Sequence, residues 1–151
     1  MNKSESNRQI IEKYYTSINS GNFETVMALM HEKVTYNVIG FLPFSGRWEG
    51  RDRVYSVLVP AVMASFKEGS VKFAEKWKIM SADEKRVTGL MSGEAITLEG
   101  KKFETTYCQI FKIENSIIRE VHEFLDTYLN YKTHDPKNLP EEADDYGPMK
   151  F

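Results

Sequence analysis

Two residues near the end of the last apolar run carry side chains that could move a proton. His122 precedes Asp126 by four residues, so both face the same side of a strand if no bulge lies between them. An imidazole beside a carboxylate is a usable proton relay, and a carboxylate in a dry pocket has a raised pKa that suits proton transfer. The alternatives are a rim or interface histidine, and an aspartate that faces solvent or caps a backbone N–H.

Large aromatic residues could line or cover a cavity for a planar apolar molecule. Phe41, Phe44 and Trp48 lie in a loop with Gly and Pro, where such groups are rare, so this loop is expected to fold over something or to pack on a partner. The alternative is ordinary core packing. The residues with this prediction are Phe41, Phe44, Trp48, Phe103, Tyr107, Phe111 and Phe124.

Glu75 interrupts a strand face that also carries Phe73 and Trp77. A buried carboxylate is costly unless it is paired, so Glu75 is a pocket acid, a partner across a dimer interface, or a residue exposed by a bulge. The interface is the favoured interpretation.

Composition excludes several classes of partner. The 151 residues carry 20 Lys or Arg and 22 Asp or Glu, a net charge of −2, which provides no field to hold nucleic acid. With Cys108 as the only cysteine and no spaced ligand cluster, we expect no metal. No apolar stretch is long enough for a membrane span or a signal sequence, so we expect no membrane partner and a cytoplasmic location.

The first part of the chain has helical periodicity. Apolar residues recur at helical spacing from Ile10 to Ile18, Gly21 can end this helix, and Asn22 can cap a second one. A third helix is predicted over residues 51–66, with a kink or a break at Pro60.

The remaining chain alternates as strands do. A strand at residues 34–39 precedes the third helix, and four more follow Gly69, the last from Ile117 to Tyr128. Segregated helices and strands predict an α+β domain in which a curved antiparallel or mixed sheet wraps around the helices and leaves a pocket at its open end. We expect one domain over residues 1–131 and a polar tail over 132–151.

Four segments, in this order, resemble the NTF2-like superfamily and, within it, the SnoaL-like and ketosteroid-isomerase-like proteins. They are IIEKYYTSINSGNFETVMALM, TYNVIG with SGRWEGRDRV, GKKFETTYCQIFKIENSII and REVHEFLDT, and the resemblance covers nearly all of residues 6–130. It implies a cone-shaped, cystatin-like α+β barrel with a mostly apolar pocket and a homodimer formed through the outer face of the sheet. This fold hosts isomerases, cyclases, epoxide hydrolases, dehydratases and plain binding domains.

The resemblance also implies roles for individual residues. Tyr14 matches the isomerase tyrosine that donates a hydrogen bond to the developing enolate oxygen, and Tyr55 matches a supporting tyrosine. Gln109 stands where the isomerases have a protonated aspartic acid, and an amide can donate without a pKa shift. Asn37 replaces their proton-shuttling aspartate, so the usual base is missing. The alternatives are core tyrosines with their hydroxyls at the rim, and an amide that satisfies a neighbour.

Asp126 matches the acid–base aspartate of SnoaL-like cyclases and limonene-epoxide-hydrolase-like enzymes, and His122 is similar to a histidine that the cyclases use. The hydrolases also need an arginine and a second aspartate, whereas MSGEAITL offers only Glu94 there.

Two functions are therefore predicted. In the first, the pocket binds a small apolar, oxygen-bearing molecule such as a polyketide, terpenoid or steroid-like compound. Asp126 and His122 move a proton on it, and Tyr14 and Gln109 stabilise the oxyanion, without a cofactor. The second is a non-catalytic ligand-binding or dimerisation module.

Overall fold

The computed structural model describes residues 1–42, 44–138 and 143–151. Helices and strands follow one another as α1 (Lys3–Asn19), α2 (Phe23–Ala28), β1 (Met30–Val38), β2 (Gly46–Glu49), α3 (Arg51–Arg53), a π-helical turn (Val54–Leu58), α4 (Val59–Ala64), β3 (Lys72–Ala82), β4 (Arg86–Ile96), β5 (Lys102–Glu114), β6 (Ile117–Phe124), α5 (Thr127–Thr133) and a 3-10 turn (Pro136–Asn138). Within the described ranges, no helix has the length and apolar character needed to cross a membrane.

The six strands form one mixed sheet in the order β2-β1-β6-β5-β4-β3. β1 and β6 are parallel, and every other neighbouring pair is antiparallel. α1 packs across β3 and β4, which defines the inner face of the sheet. The predicted α+β fold, with a curved mixed sheet beside N-terminal helices, is confirmed.

The N-terminal helices form for the reasons that the sequence suggests. α1 buries Ile11, Tyr14 and Tyr15 on one side, as the helical spacing predicts. Gly21 takes a positive φ of 70° after the end of α1, and the side chain of Asn22 accepts a 3.1 Å hydrogen bond from the backbone N–H of Thr25 to cap α2. α1 thereby presents two adjacent tyrosines to the sheet.

The predicted helix over residues 51–66 is divided into three parts. α3 leads into the π-helical turn, and α4 continues with Pro60 as its second residue. Val54, Tyr55 and Leu58 of the π-helical turn form part of the wall of a cavity that also involves the sheet. Such turns are frequent at functional sites.

The C-terminal part of the chain differs from the sequence-based expectation. The strand predicted over residues 117–128 ends at Phe124, and α5 follows it. Residues 143–151 lie along β2: the backbones of Arg47 and Asp145 form an antiparallel bridge. The carboxylate of Asp144 accepts hydrogen bonds from the Glu49 N–H at 2.9 Å and from Arg53 Nε at 3.0 Å. This segment therefore extends the edge of the sheet.

Candidate functional site

A cavity of about 110 Å³ lies between the inner face of the sheet, α1 and the π-helical turn. Its wall is apolar except for tyrosine hydroxyls and one carboxyl group. The polar members of the wall are Tyr14, Tyr36, Tyr55, Tyr107 and Glu123. A pocket of this kind, apolar with a few converging polar groups, is typical of small-molecule sites.

Glu123 reaches the cavity because of a bulge in β6. Ile113 pairs with Ile118 and Lys112 pairs with Glu120, so Arg119 is an extra residue that shifts the alternation. Beyond it, Glu123 pairs with Gln109 of β5 on the inner face, and both side chains are held among buried groups.

One oxygen of the Glu123 carboxyl group receives two short hydrogen bonds. The Tyr36 hydroxyl and Gln109 Nε2 each donate to Oε1 at 2.7 Å. Within the described part of the chain, Oε2 accepts no hydrogen bond, and this second oxygen remains available to a molecule in the cavity. The arrangement fixes the carboxyl group and leaves one of its oxygens for chemistry.

Burial raises the pKa of Glu123, because a carboxylate loses its hydration inside the protein. The hydrogen bonds from Tyr36 and Gln109 lower the pKa but do not cancel the effect of burial. A carboxyl group with a raised pKa accepts and returns protons closer to neutral pH than an exposed glutamate does.

Tyr14 lies beside this hydrogen-bonded group in the cavity wall. Tyr36 donates to Glu123 and accepts a 3.3 Å hydrogen bond from Gln109 Nε2. Burial raises the pKa of Tyr14, Tyr36 and Tyr55, so all three phenols keep their protons. The hydrogen bonds therefore join β1, β5 and β6 around one carboxyl group, with Tyr14 of α1 next to them.

Several residues singled out from the sequence do meet at this cavity. Tyr14, Tyr55 and Tyr107 are part of its wall. Gln109 is fully buried behind the wall and contacts it through Glu123 and Tyr36. Their positions agree with those expected, and their roles remain predictions.

The predicted acid–base pair lies elsewhere. Asp126 is exposed, and its Oδ1 caps α5 by accepting a 3.0 Å hydrogen bond from the Leu129 N–H. The expectation that Asp126 lies in a dry pocket is therefore wrong, and the alternative of a carboxylate that caps a backbone N–H is correct. His122 points to the outer face, where its Nε2 lies 3.0 Å from the carbonyl oxygen of Lys150. Phe124 alternates with Glu123 and shares the outer face with His122, away from the cavity.

Five further residues expected around a ligand lie outside the cavity wall, and two of them, Phe103 and Phe111, are buried core residues. Asn37 is buried on the outer side of β1, where its amide donates to the Val121 carbonyl at 3.0 Å. Trp48 is a core residue whose Nε1 donates to the Phe44 carbonyl at 3.0 Å. Phe41 is 96% exposed and is not part of this wall. Phe44, from the same loop, does contribute to the wall.

Sequence reasoning missed Glu123 and Tyr36. The available signal was the short run in which Glu123 alternates with Val121 and Leu125, a single charge between two apolar neighbours on one strand face. In the described residues, no group of three or more His, Cys, Asp or Glu side chains could hold a metal ion. The chemistry that this site offers is therefore that of one carboxyl group and its phenol and amide donors.

The chain matches a protein-family model over most of its length. Residues 11–121 match the family model of the SnoaL-like domain. No curated protein sequence matches this chain.

Solved structures share the fold at low sequence identity. Bal32a, from a soil-derived mobile gene cassette, superposes with a TM-score of 0.78 and 21% identity, covering 89% of this chain and 100% of that one. An NTF2-like protein from Burkholderia xenovorans LB400 has a TM-score of 0.69 and 16% identity over 87% of this chain and 98% of that one. A putative polyketide cyclase from Xanthomonas campestris pv. campestris has a TM-score of 0.70 and 15% identity, with coverages of 87% and 98%.

Proposed function

The chain belongs to the SnoaL-like family and has the NTF2-like fold, and we propose that its cavity binds a small apolar, oxygen-bearing molecule on which Glu123 transfers a proton. The observation that carries this proposal is the Glu123 carboxyl group, held by two donors on one oxygen in the wall of an apolar cavity. It replaces Asp126 as the proton-transferring group.

The proposed chemistry is proton transfer at a carbon next to a carbonyl group. Glu123 Oε2 takes the proton, and the electrons of the C–H bond move into an enolate whose oxygen becomes negative. A phenol that stays protonated, from Tyr14 or Tyr55, donates a hydrogen bond to that oxygen. The proton returns from Glu123 to carbon, so no oxidant, reductant or cofactor is consumed.

The size of the cavity restricts the ligand. An apolar cavity of about 150 Å³ holds benzene, and this one measures about 110 Å³. We propose a short acyl compound, or a ketone of one ring that enters with its carbonyl group toward the tyrosines and extends in part past the cavity. A polyketide, terpenoid or steroid-like compound of several rings would have to extend beyond the cavity.

Thermal shift and deuterium exchange together test the proposal. Cyclohexanone, 2-cyclohexenone and the two-ring ketone 1-tetralone are added to the protein, and the single-ring compounds are expected to raise the melting temperature more. NMR in D₂O then follows exchange of the hydrogens next to the carbonyl group. Wild type should accelerate exchange, and Glu123→Gln should slow it by about 100-fold or more.

Asp126→Asn is the matched control, because it removes a carboxylate from the next segment while asparagine can still cap α5. Its exchange rate should equal that of wild type. Equal exchange rates in wild type and Glu123→Gln would refute the proposal.

Ligand binding without turnover is the second candidate. The exposed position of Asp126 favours it, because the acid that the resemblance assigns to catalysis does not face the cavity. Under this function, single-ring ketones raise the melting temperature, and no exchange is accelerated by either wild type or variant.

We also propose a homodimer formed through the outer face of the sheet. Leu90, Ile110 and Phe124 are only partly buried there, and their strands are neighbours. Light scattering should give twice the chain mass for wild type and the chain mass for Ile110→Glu; a monomeric wild type would contradict it.

A further inference from the structure

Two buried polar atoms near Glu123 have no hydrogen-bond partner among the described residues. They are the hydroxyl group of Tyr15, on α1, and Oε1 of Gln109, on β5. Both side chains are fully buried. Buried polar groups are almost always satisfied in native proteins, by protein or by ordered water, so this pair requires an explanation.

The two atoms lie over neighbouring positions of the sheet. Gly89 of β4 pairs directly with Gln109 of β5. The ring of Tyr15 rests on Gly89 so closely that a Cβ at that glycine would lie 2.8 Å from Cε2 of Tyr15 and closer still to its hydroxyl oxygen. A glycine inside a strand weakens the strand and often marks a place where another group comes close to its backbone. Here the group that approaches is the end of the Tyr15 side chain.

Packing explains the ring of Tyr15 but not its hydroxyl group. The ring stacks on Trp77 with centroids 5.7 Å apart and meets Phe111 edge-on at 6.0 Å. Phenylalanine would make the same contacts and would not bury a lone hydroxyl group, which costs free energy when it is unsatisfied.

A water molecule between the two atoms would satisfy both of them. Residues opposite each other on antiparallel strands have Cβ atoms about 5 Å apart, and a water that bonds two oxygens spans about 5–6 Å between them. We propose that a buried water accepts a hydrogen bond from Tyr15 and donates one to Gln109 Oε1, which makes Tyr15 a positioning residue for Glu123. This inference rests on the proposed role of Glu123.

The orientation of the Gln109 amide decides what Glu123 receives. In the structure Nε2 faces Glu123 and donates at 2.7 Å, which leaves Oε1 for the proposed water. The flipped amide would place its oxygen against the carboxylate and remove that donor. The bridging water therefore selects the orientation that stabilises ionised Glu123.

Few other groups could control the ionisation of Glu123. The titratable side chains that face it are Tyr14 and Tyr15 of α1, Tyr36 of β1 and Tyr107 of β5. Among the residues with described placement, no charged side chain contributes to its pKa. Its ionisation therefore depends on burial and on its hydrogen-bond donors.

The test is the NMR titration of Glu123 in the ligand-free protein, assigned by comparison with Glu123→Gln. Tyr15→Phe removes the hydroxyl group and is expected to raise the pKa of Glu123 by about one unit, a tenfold change in its protonation constant. Trp77→Phe is the matched control: it disturbs the packing of the Tyr15 ring, keeps the hydroxyl group and should leave the titration unchanged.

A double-mutant cycle separates positioning from general loosening. If Tyr15 acts through the amide, Tyr15→Phe has no further effect on the titration when Gln109 is already replaced by Met. A crystal structure of the wild type, at a resolution that shows ordered water, should place one water between the two atoms.

Three results would overturn the inference: an unchanged titration in Tyr15→Phe, an equal shift in Trp77→Phe, or a crystal structure with no water between Tyr15 and Gln109. Because the titration needs no ligand, it stands apart from the exchange assay. A failed exchange assay with a shifted titration would reject the proposed function and keep the positioning role.

Discussion

Replacing Glu123 with glutamine keeps the shape of the side chain and removes its ionisable group. Burial raises the pKa of Glu123 above its ordinary value of 4.5, so the folded protein binds this proton more tightly than the unfolded chain does. The stability that protonated Glu123 contributes is therefore fully present below the unfolded-state pKa and is lost as the pH rises through the folded-state pKa. Glu123→Gln has no such proton to lose and should gain stability over wild type across that window.

The size of the gain follows from the linkage between pKa and stability. The free energy of unfolding of Glu123→Gln should rise relative to wild type by about 1.4 kcal/mol for each unit by which the pKa is raised. Above the folded-state pKa the difference is constant. The glutamine carbonyl oxygen can still accept from Tyr36 and Gln109, so the network is kept in part.

Urea unfolding at a series of pH values, from about pH 4 to about pH 8, measures this difference. Glu120→Gln is the control, since it removes the same charge from the same strand at a position paired with Lys112. The reasoning is refuted if the curves of wild type and Glu123→Gln stay parallel over the whole range. It is refuted equally if the two glutamine variants have the same pH dependence.

Three other substitutions have expected outcomes that denaturant unfolding can check. Asp126→Ala should lose about 1 kcal/mol, because it removes the cap of α5, whereas Asp126→Asn should be nearly neutral; equal losses would argue against a capping role. Gly89→Ala should lose about 1–3 kcal/mol, because its methyl group meets the Tyr15 ring; an unchanged midpoint would mean that the ring moves freely. Asp144→Ala should lose about 1–2 kcal/mol, because the Glu49 N–H and Arg53 lose an acceptor; no loss would show that residues 143–151 add nothing to the sheet.

The fold could be predicted because its signals are local. The spacing around Tyr14 and Tyr15 specifies an amphipathic helix, and the side chain of Asn22 specifies where the next one begins. Helices that are followed by strands with alternating apolar residues are compatible with few architectures. A mixed sheet packed against the helices is one of them, and it is the one observed.

The candidate site could not be predicted from the sequence in the same way. Side chains alternate between the two faces of a strand, and the sequence does not say which set faces the cavity. Strict alternation from Ile118, which is buried, places His122 and Phe124 on the inner face. The bulge at Arg119 adds one residue and exchanges the two faces, so that Glu123 points inward. The position of such a bulge cannot be predicted from a single sequence.

Glu75 and Asp126 illustrate the same limit. A register shift lies between Phe73 and Trp77, where Ala74 has a positive φ of 55°, and Glu75 is exposed. These features agree with the bulge alternative, and a place for Glu75 in a dimer interface stays a prediction. The sequence pattern places Asp126 at the end of a strand, but an aspartate is also a preferred N-cap residue, and here it precedes the first residue of α5, Thr127. The position of Glu75 depends on the register between β3 and β4, whereas that of Asp126 depends on where β6 ends and α5 begins.

The most direct test of Glu123 compares two pH profiles recorded on the same protein. One is the NMR titration of its carboxyl group, and the other is the rate at which the protein exchanges the hydrogens of bound cyclohexanone with D₂O. If Glu123 carries the proton, the rate rises with the ionised fraction of this one group and the two midpoints coincide. Exchange that follows a different midpoint, or that persists unchanged in Glu123→Gln, would contradict the assignment.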